Sequence, residues 1–486
     1  EKRCLCSELT RLTILLFYLM TSDSPFLDRL QRLSDFSGQI PPSLGNLNQL
    51  QWLDLAFNNF LRELPASIGS LSSLERLDTF PPMKIHGNIP KWLLNPSMKN
   101  FSYLNLSKNY FPRFDQHPTV LPWTTLSTKI RHYLISKNNL TGEIPSWICN
   151  LSSLYVLDLS DNNLSGELLQ CLGNFSGGLS VLSLQGKNFF GTTPDTFMNG
   201  SDLRMVDLSH NLLQGKIPKS LANCAVLEIS DLRNNQINDT FPIWLGSLLE
   251  LNILVLIQQL PCFMGKLPSK YFQCWNAMKF ANSSQLRYME NFLSSYFSFD
   301  FYRYFPQNDY SITMSNEGQM MTHDKIPDIL KGIILSSNRF DGEMPTSIAN
   351  LKGLQVLGLA SNNLQGHIPS CLGSLTNLES LDLSKNRLTF LEFFNATHNN
   401  LTGPIPQANQ FPTFGYSSFN GNSRLCGKPL PKECASDWKI VLTGYTGRIV
   451  VGLVFGFNFS TGIVRWFPKK LGMQLKTRKR IRRHRN

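Results

Sequence analysis

The chain repeats one phrase. Leu203 to Pro218 reads LRMVDLSHNLLQGKIP, and variants of it recur along most of the 486 residues. Asn58, Asn138, Asn162, Asn211, Asn235, Asn338, Asn362 and Asn386 hold one position of the phrase. Asn138–Asn162, Asn211–Asn235, Asn338–Asn362 and Asn362–Asn386 are each 24 residues apart, and Lys187 and Gln259 fill two slots where further asparagines belong. A proline recurs in phase at Pro41, Pro65, Pro145, Pro194, Pro218, Pro242, Pro345, Pro369 and Pro406. A period of this length specifies an array that grows by stacking, not a set of globular cores.

Each position has a physical reading. Leu157-Asp158-Leu159 and Leu381-Asp382-Leu383 alternate apolar and polar, the pattern of a short strand with one buried face. The asparagine comes where the chain leaves the strand, and its amide can pair backbone groups that a turning coil leaves inside the stack. The Gly-x-Ile-Pro step predicts an extended return path poor in hydrogen bonds, since proline fixes φ and has no N–H. One coil cannot bury its own leucines, so the strands are predicted to form a parallel sheet along one side of a solenoid. Two irregular coils stand out. Ser230 replaces an expected leucine, and Asn399 follows Asn386 after 13 residues, so that one coil is shortened around Leu388–Leu391.

The pattern LxxLxLxxNxLxGxIP resembles the plant-type extracellular leucine-rich repeat over roughly residues 34–406. The implied fold class is α/β, a leucine-rich-repeat solenoid with a curved parallel sheet, a looped-out island and one C-terminal transmembrane helix. The expected divisions are an irregular N-terminus at 1–33, a repeat block at 34–269, an island at 270–328, C-terminal repeats at 329–407, a cap and juxtamembrane stretch at 408–438, a transmembrane helix at 439–464 and a basic tail at 465–486. Within 1–33, Leu12–Met20 reads either as a worn secretory signal or as a degenerate first coil. The island resembles the one in plant receptor-like proteins, matching at NDYSITM (Asn308–Met314) and at the resumption ILSSNRFDGEMP. NGNSRLCGKPLPKEC (Asn420–Cys434) resembles their C-terminal cap.

Cysteines and sequons fit an oxidising exterior. Cys426 and Cys434 are placed for a local disulfide, and Cys149 and Cys171 lie at nearby points of successive coils. Asn100, Asn105, Asn139, Asn150, Asn163, Asn174, Asn199, Asn238, Asn282, Asn395 and Asn400 each begin N-x-S/T, although the repeat consensus itself generates some of these. Residues 440–464 are long enough to span a bilayer, which takes ~20 mostly apolar residues. Gly452 and Gly456 there form GxxxG, which permits close helix–helix packing. The net charge of +12 comes mainly from Arg465–Arg485, which carries ten Lys and Arg and no acid. That placement fits a cytoplasmic anchor and contact with lipid, not a nucleic-acid face. No HExxH, GxSxG or phosphate-loop motif is present and the cysteines lack zinc spacing, so no enzyme activity, cofactor or metal is expected.

The resemblance implies a single-pass plasma-membrane glycoprotein, ectodomain outside and C-terminus cytoplasmic, without a kinase domain. It implies binding of an extracellular peptide, protein or glycan and signalling through partner receptor kinases, in contact with the ectodomain and the transmembrane helix, with defence as the favoured setting. Ligand contacts are expected from exposed strand positions: Tyr155, Asp158, Ser183, Gln185, Arg204, Asp207, Asp231 and Arg233. A developmental peptide receptor, a soluble inhibitor of cell-wall-degrading enzymes and a non-functional receptor relic remain as alternatives.

Overall fold

A computed structural model describes residues 29–30, 37–55, 58–79, 84–94, 98–114, 129–175, 178–258, 263–280, 312–316, 319–323, 326, 330–390, 402–405 and 415–434. Each coil contributes a strand of two or three residues to one parallel sheet. Among the described residues that sheet has 13 strands, running in chain order from Arg29–Leu30 to Ser380–Asp382. Neighbours pair in register, as in Val156↔Val181, Leu157↔Leu182 and Asp158↔Ser183. The middle residue of most strands points into the stack. Leu53, Leu77, Leu104, Leu157, Leu254 and Leu357 are all fully or almost fully buried in one continuous core.

The asparagines form a ladder through that core. Asn211 donates from Nδ2 to the Leu184 carbonyl of the preceding coil (3.0 Å) and to the Leu208 and Ser209 carbonyls of its own (3.1 Å each). Its Oδ1 accepts the Phe189 N–H at 3.2 Å. Asn138, Asn162, Asn235, Asn338, Asn362 and Asn386 repeat this geometry, each accepting a backbone N–H from the coil before. Every side-chain bond here satisfies a buried backbone group that the tight turn leaves unpaired. The residue before each ladder asparagine is left-handed although it is not glycine. Lys137, Asp161, His210, Asn234, Ser337, Ser361 and Lys385 have φ between 53° and 55° or up to 59°.

Sequence logic departs from the structure in three ways. First, the return path is more regular than predicted. Residues after the asparagine form a second strand, and these strands make separate parallel sheets such as Thr141–Gly142, Asn163–Glu167, Asn188–Thr192, Leu212–Gly215 and Gln236–Ile237. After the proline, which is extended (Pro218, φ −66°, ψ 135°), comes a 3-10 helix such as Lys219–Asn223. Apart from the four-residue α-turn Ser269–Phe272, these 3-10 segments supply the described helical content. Second, Gln258 stands in for the missing asparagine. It is buried, accepts the Asn235 N–H at 2.8 Å and donates to the Leu232 carbonyl at 3.3 Å. Gln259 lies outside the described residues. Third, the coil that begins at Ile253 continues beyond residue 269. Phe272, Trp275 and Met278 are fully buried, and the Trp275 indole N–H donates to the Leu251 carbonyl at 3.0 Å.

The joint across residues 281–329 is closed on the array side. Ile253–Val255 pairs directly with Gly332–Ile334. Asn338 reaches the Leu256 carbonyl and accepts the Phe263 N–H, so the ladder crosses the joint. Lys331 is buried and its Nζ donates to the Ala277 and Phe280 carbonyls. Between them, Ile312–Asn316 and Gln319–His323 form an antiparallel hairpin. At the C-terminal end the register slips at Gly366/His367, beside the shortened coil. The next described strand, Thr402–Pro404, pairs with Arg424–Cys426 in a two-stranded sheet. Both expected disulfides are present, Cys149–Cys171 with Cα atoms 5.7 Å apart and Cys426–Cys434 with Cα atoms 4.9 Å apart.

Two substitutions measure the ladder and its weak rung. Asn211→Ala removes the Asn211 bonds to the Leu184 and Ser209 carbonyls and to the Phe189 N–H inside the core, while the Leu208 carbonyl keeps Asn235, and is expected to cost about 3 kcal/mol in urea unfolding. Ser230, in the slot of a core leucine, is 1% exposed and its hydroxyl has no partner. Ser230→Leu should therefore raise stability by about 2 kcal/mol, read as a higher denaturant midpoint.

Candidate functional site

The outward face of the 13-stranded sheet is where the free positions of the repeat converge. The first and third residues of each strand point there, together with the residue two further on. Three kinds of surface follow along it.

Toward the N-terminal end is a cluster of aromatic and charged side chains. The Arg76 guanidinium lies 3.8 Å from the Tyr103 ring centroid and pairs with Asp78 at 2.7 Å. The His132 ring sits 5.3 Å from Tyr103 and 6.1 Å from Tyr155, centroid to centroid. His132 is buried, and burial, with Arg76 and Arg131 nearby, lowers its pKa to about 3. Tyr155 is half-buried at the edge of this group. Arg76, Tyr103 and His132 were not among the expected contacts, although they hold the same strand position as Val156 and Met205 and so were open to the same inference.

The middle of the face carries the expected ligand residues, and the structure corrects part of that expectation. Asp158, Ser183, Gln185 and Arg204 are half-buried and reach the surface. Asp207, Asp231 and Arg233, expected to be exposed, are buried at 4%, 0% and 2% exposure. The aspartates have a local task that recurs down the column. Asp158 accepts the Ser160 N–H, Asp207 the Ser209 N–H, Asp231 the Arg233 N–H and Asp382 the Ser384 N–H, all at 2.9–3.1 Å. Asn105 does the same for Ser107. This carboxylate or amide therefore caps the turn that leads to the ladder asparagine. The recurrence of Asp-Leu-Ser in the repeat was the available signal. Arg204 pairs with Glu228 of the next coil, and Gln185 donates to Asp161 at 3.2 Å.

Asp207 and Asp231 are register partners on adjacent strands. The Arg233 guanidinium donates twice to Asp231, and its Nη1 is buried without a partner. Burial raises the Asp231 pKa, with Arg233 opposing. Asp207 has the Asp231 charge beside it, and burial plus that charge push its pKa up to about 7. Asp231 keeps the arginine, so Asp207 is the member of the pair that holds a proton near neutrality. Burial also lowers the pKa of half-buried His210, with Arg233 adding to the effect.

The third surface is apolar. Val156, Val181, Met205, Ile229 and Ile253 hold the first strand position of consecutive coils and form a buried stripe with Val255 and Ile334. Ile326, fully buried, packs into that stripe.

Sequons divide by geometry. Asn100, Asn139, Asn163, Asn174, Asn199 and Asn238 are exposed and Asn150 is half-buried. Asn105 is corrected: it is 8% exposed and its Oδ1 is the turn cap just described, so its amide is not presented for modification. Asn282, Asn395, Asn400, Gly452 and Gly456 lie outside the described residues. No helix among the described residues is long and apolar enough to cross a membrane.

The two titrations oppose each other. His132 stays neutral in the fold while the unfolded chain takes up a proton below about pH 6.5, so stability is lost as pH falls from there toward 3. Asp207 stays protonated in the fold up to about pH 7 while the unfolded chain releases its proton near 3.8, so stability is lost as pH rises between those values. Asp207→Asn, which keeps a cap like that of Asn105, should raise the urea midpoint at pH 7.5 and leave it unchanged at pH 3.5. The gain should be on the order of 2 kcal/mol.

Comparison with known proteins agrees with this geometry. Two family models, both described as leucine-rich repeat, match residues 177–237 and 330–388 in one case and 49–71, 133–151 and 153–175 in the other. Receptor-like protein 33 of Arabidopsis thaliana is 34% identical over 447 residues, covering 82% of this chain and 49% of the relative. Receptor-like protein 32 of the same plant is 36% identical over 292 residues, covering 56% of this chain and 32% of the relative. The chain thus spans a third to a half of the length of these curated relatives. Among solved structures, the leucine-rich-repeat ectodomain of the Arabidopsis thaliana membrane receptor kinase GASSHO1/SCHENGEN3, in complex with Casparian strip integrity factor 2, aligns with TM-score 0.54 and 29% identity, covering 83% of this chain and 45% of that one. The ectodomain of the Arabidopsis receptor kinase HAESA, in complex with an N-terminally extended IDA peptide hormone, aligns with TM-score 0.54 and 26% identity, covering 83% and 58%.

Proposed function

This chain is kin to the plant leucine-rich-repeat receptor-like proteins, and on that premise we propose that it is a cell-surface receptor-like protein that binds an extracellular peptide along the outward face of its main sheet. The observation that carries this reading is the row of half-buried polar and aromatic side chains at Tyr155, Asp158, Ser183, Gln185 and Arg204, flanked by the Arg76–Tyr103–His132 cluster. Such a row offers hydrogen bonds to a peptide backbone and rings for its side chains. The peptide complexes of the GASSHO1/SCHENGEN3 and HAESA ectodomains support the same class of ligand. Asp207, Asp231 and Arg233 serve this site by holding the turns in place beneath it.

The reading extends to a single span at 439–464, with Gly452 and Gly456 on its packing face, a cytoplasmic basic stretch at 465–486 against anionic lipid, and signalling through partner receptor kinases in plant defence. The cap strand at Arg424–Cys426 and its Cys426–Cys434 bridge cover the C-terminal end of the array and favour a working ectodomain over a relic. A screen of the full chain against secreted plant and microbial peptides tests the proposal. Peptides retained by the wild type should lose at least tenfold in affinity on Tyr155→Ala or Arg204→Ala, with the chain in the membrane fraction. Recovery in the soluble fraction, or retention indifferent to both substitutions, would sink it.

A further inference from the structure

The ladder has a gap, and an open hollow lies beside it. Lys187 stands where the ladder asparagine belongs, points to solvent, and has no carbonyl to offer the Leu164 amide as Asn162 Oδ1 does for Leu140. The turn itself takes another course. Gly186, which could adopt the left-handed conformation at no steric cost, is not left-handed, whereas Asp161 (φ 53°) and His210 (φ 59°) on either side are. Beside this break lies a cavity of about 520 Å³, lined by Asn138, Asn139, Thr141, Asp161, Asn162, Asn163, Gly186 and Lys187. It borders the outward face of the main sheet, since Asp161 on its wall accepts the Gln185 amide at 3.2 Å.

Every lining side chain carries a polar group, and polar and aliphatic surface share the wall about equally. Asn138 and Asn162 are committed to the ladder. Asn139, Asn163 and Lys187 are exposed, and Asp161 holds only the Gln185 amide and Lys137 at 4.0 Å. A ligand for this space must therefore meet neutral amides, one carboxylate and one ammonium around its rim, with aliphatic stems between them and no aromatic or branched hydrocarbon side chain in the lining. We propose that the notch at Lys187 is a binding site for a sugar ring, whose hydroxyls donate to Asp161 and the Asn139 carbonyl and accept from Lys187 and the Asn163 amide. Two sources supply such a ring. One is free in solution. The other is tethered, because Asn139 and Asn163 both begin sequons and stand on the rim.

The full chain, made with and without N-glycans, separates them. Lys187→Asn restores the ladder residue and closes the notch, and should raise the melting temperature. Lys187→Ala keeps the notch open with one fewer donor. If the ring is free, the unglycosylated wild type shows saturation transfer to N-acetylglucosamine or glucose, weakened several-fold in Lys187→Ala and lost in Lys187→Asn. If the ring is tethered, removing a sequon by Asn139→Gln or Ser165→Ala lowers the melting temperature of the glycosylated wild type by about 2 °C but not that of Lys187→Asn. The proposal fails if neither free sugar nor glycan loss gives a response that depends on Lys187.

Discussion

Everything in this array depends on one side chain amide per coil. A coil of about 24 residues must turn three times, and the sharpest turn follows a strand of only two or three residues. That turn puts a non-glycine residue into the left-handed region, at a cost of roughly 1–2 kcal/mol each time. The ladder asparagine offsets the cost by bonding its own coil and the one before. Its energy is therefore a nearest-neighbour term, and coils that lack it are weak locally without disturbing the phase of the rest. Gln258 and Lys187 are two outcomes of that weakness. The longer amide of Gln258 reaches the same Leu232 carbonyl from one residue away, whereas Lys187 turns to solvent and leaves its rung without a side-chain amide.

The outward face obeys the same economy. A position that looks free in one coil is structural in the next, because the turn cap and the ligand-facing position are the same residue. Asp158 caps and remains accessible; Asp207 and Asp231 cap and are buried. What distinguishes them is the neighbourhood. The apolar first-position residues Met205, Ile229 and Ile253 draw the middle of the sheet into a dry environment, and Ile326 seals one end of it.

The period, the ladder and both bridged cysteine pairs were legible in the sequence, since each rests on one residue type at fixed spacing. The second strands and the 3-10 helices were not, because three-to-five-residue segments rich in Gly, Pro and Asn carry no hydrophobic period of their own. The shift from Gln259 to Gln258 was also out of reach, being decided by side-chain length and not by phase. The candidate site was half legible. Alternation identified which residues face outward, but burial of Asp207, Asp231 and Arg233 depends on contacts between coils that no single repeat encodes. The aspartate's capping role was written in its recurrence, and a repeat consensus read column by column, not coil by coil, reveals it.

The Lys331 clamp has one more consequence. Because the Ala277 and Phe280 carbonyls, the Ile253–Val255 pairing and the Asn338 rung close the joint from the array side, strand register and ladder cross it without the sequence between positions 281 and 329, from which Ile326 is the described residue that packs back into the sheet. Lengthening a closed loop twofold costs only about 0.6 kcal/mol. Natural variation can therefore rewrite, lengthen or exchange that stretch while the register on both sides holds. The joint works as a socket, and a lineage can change what is plugged into it without re-evolving the wall.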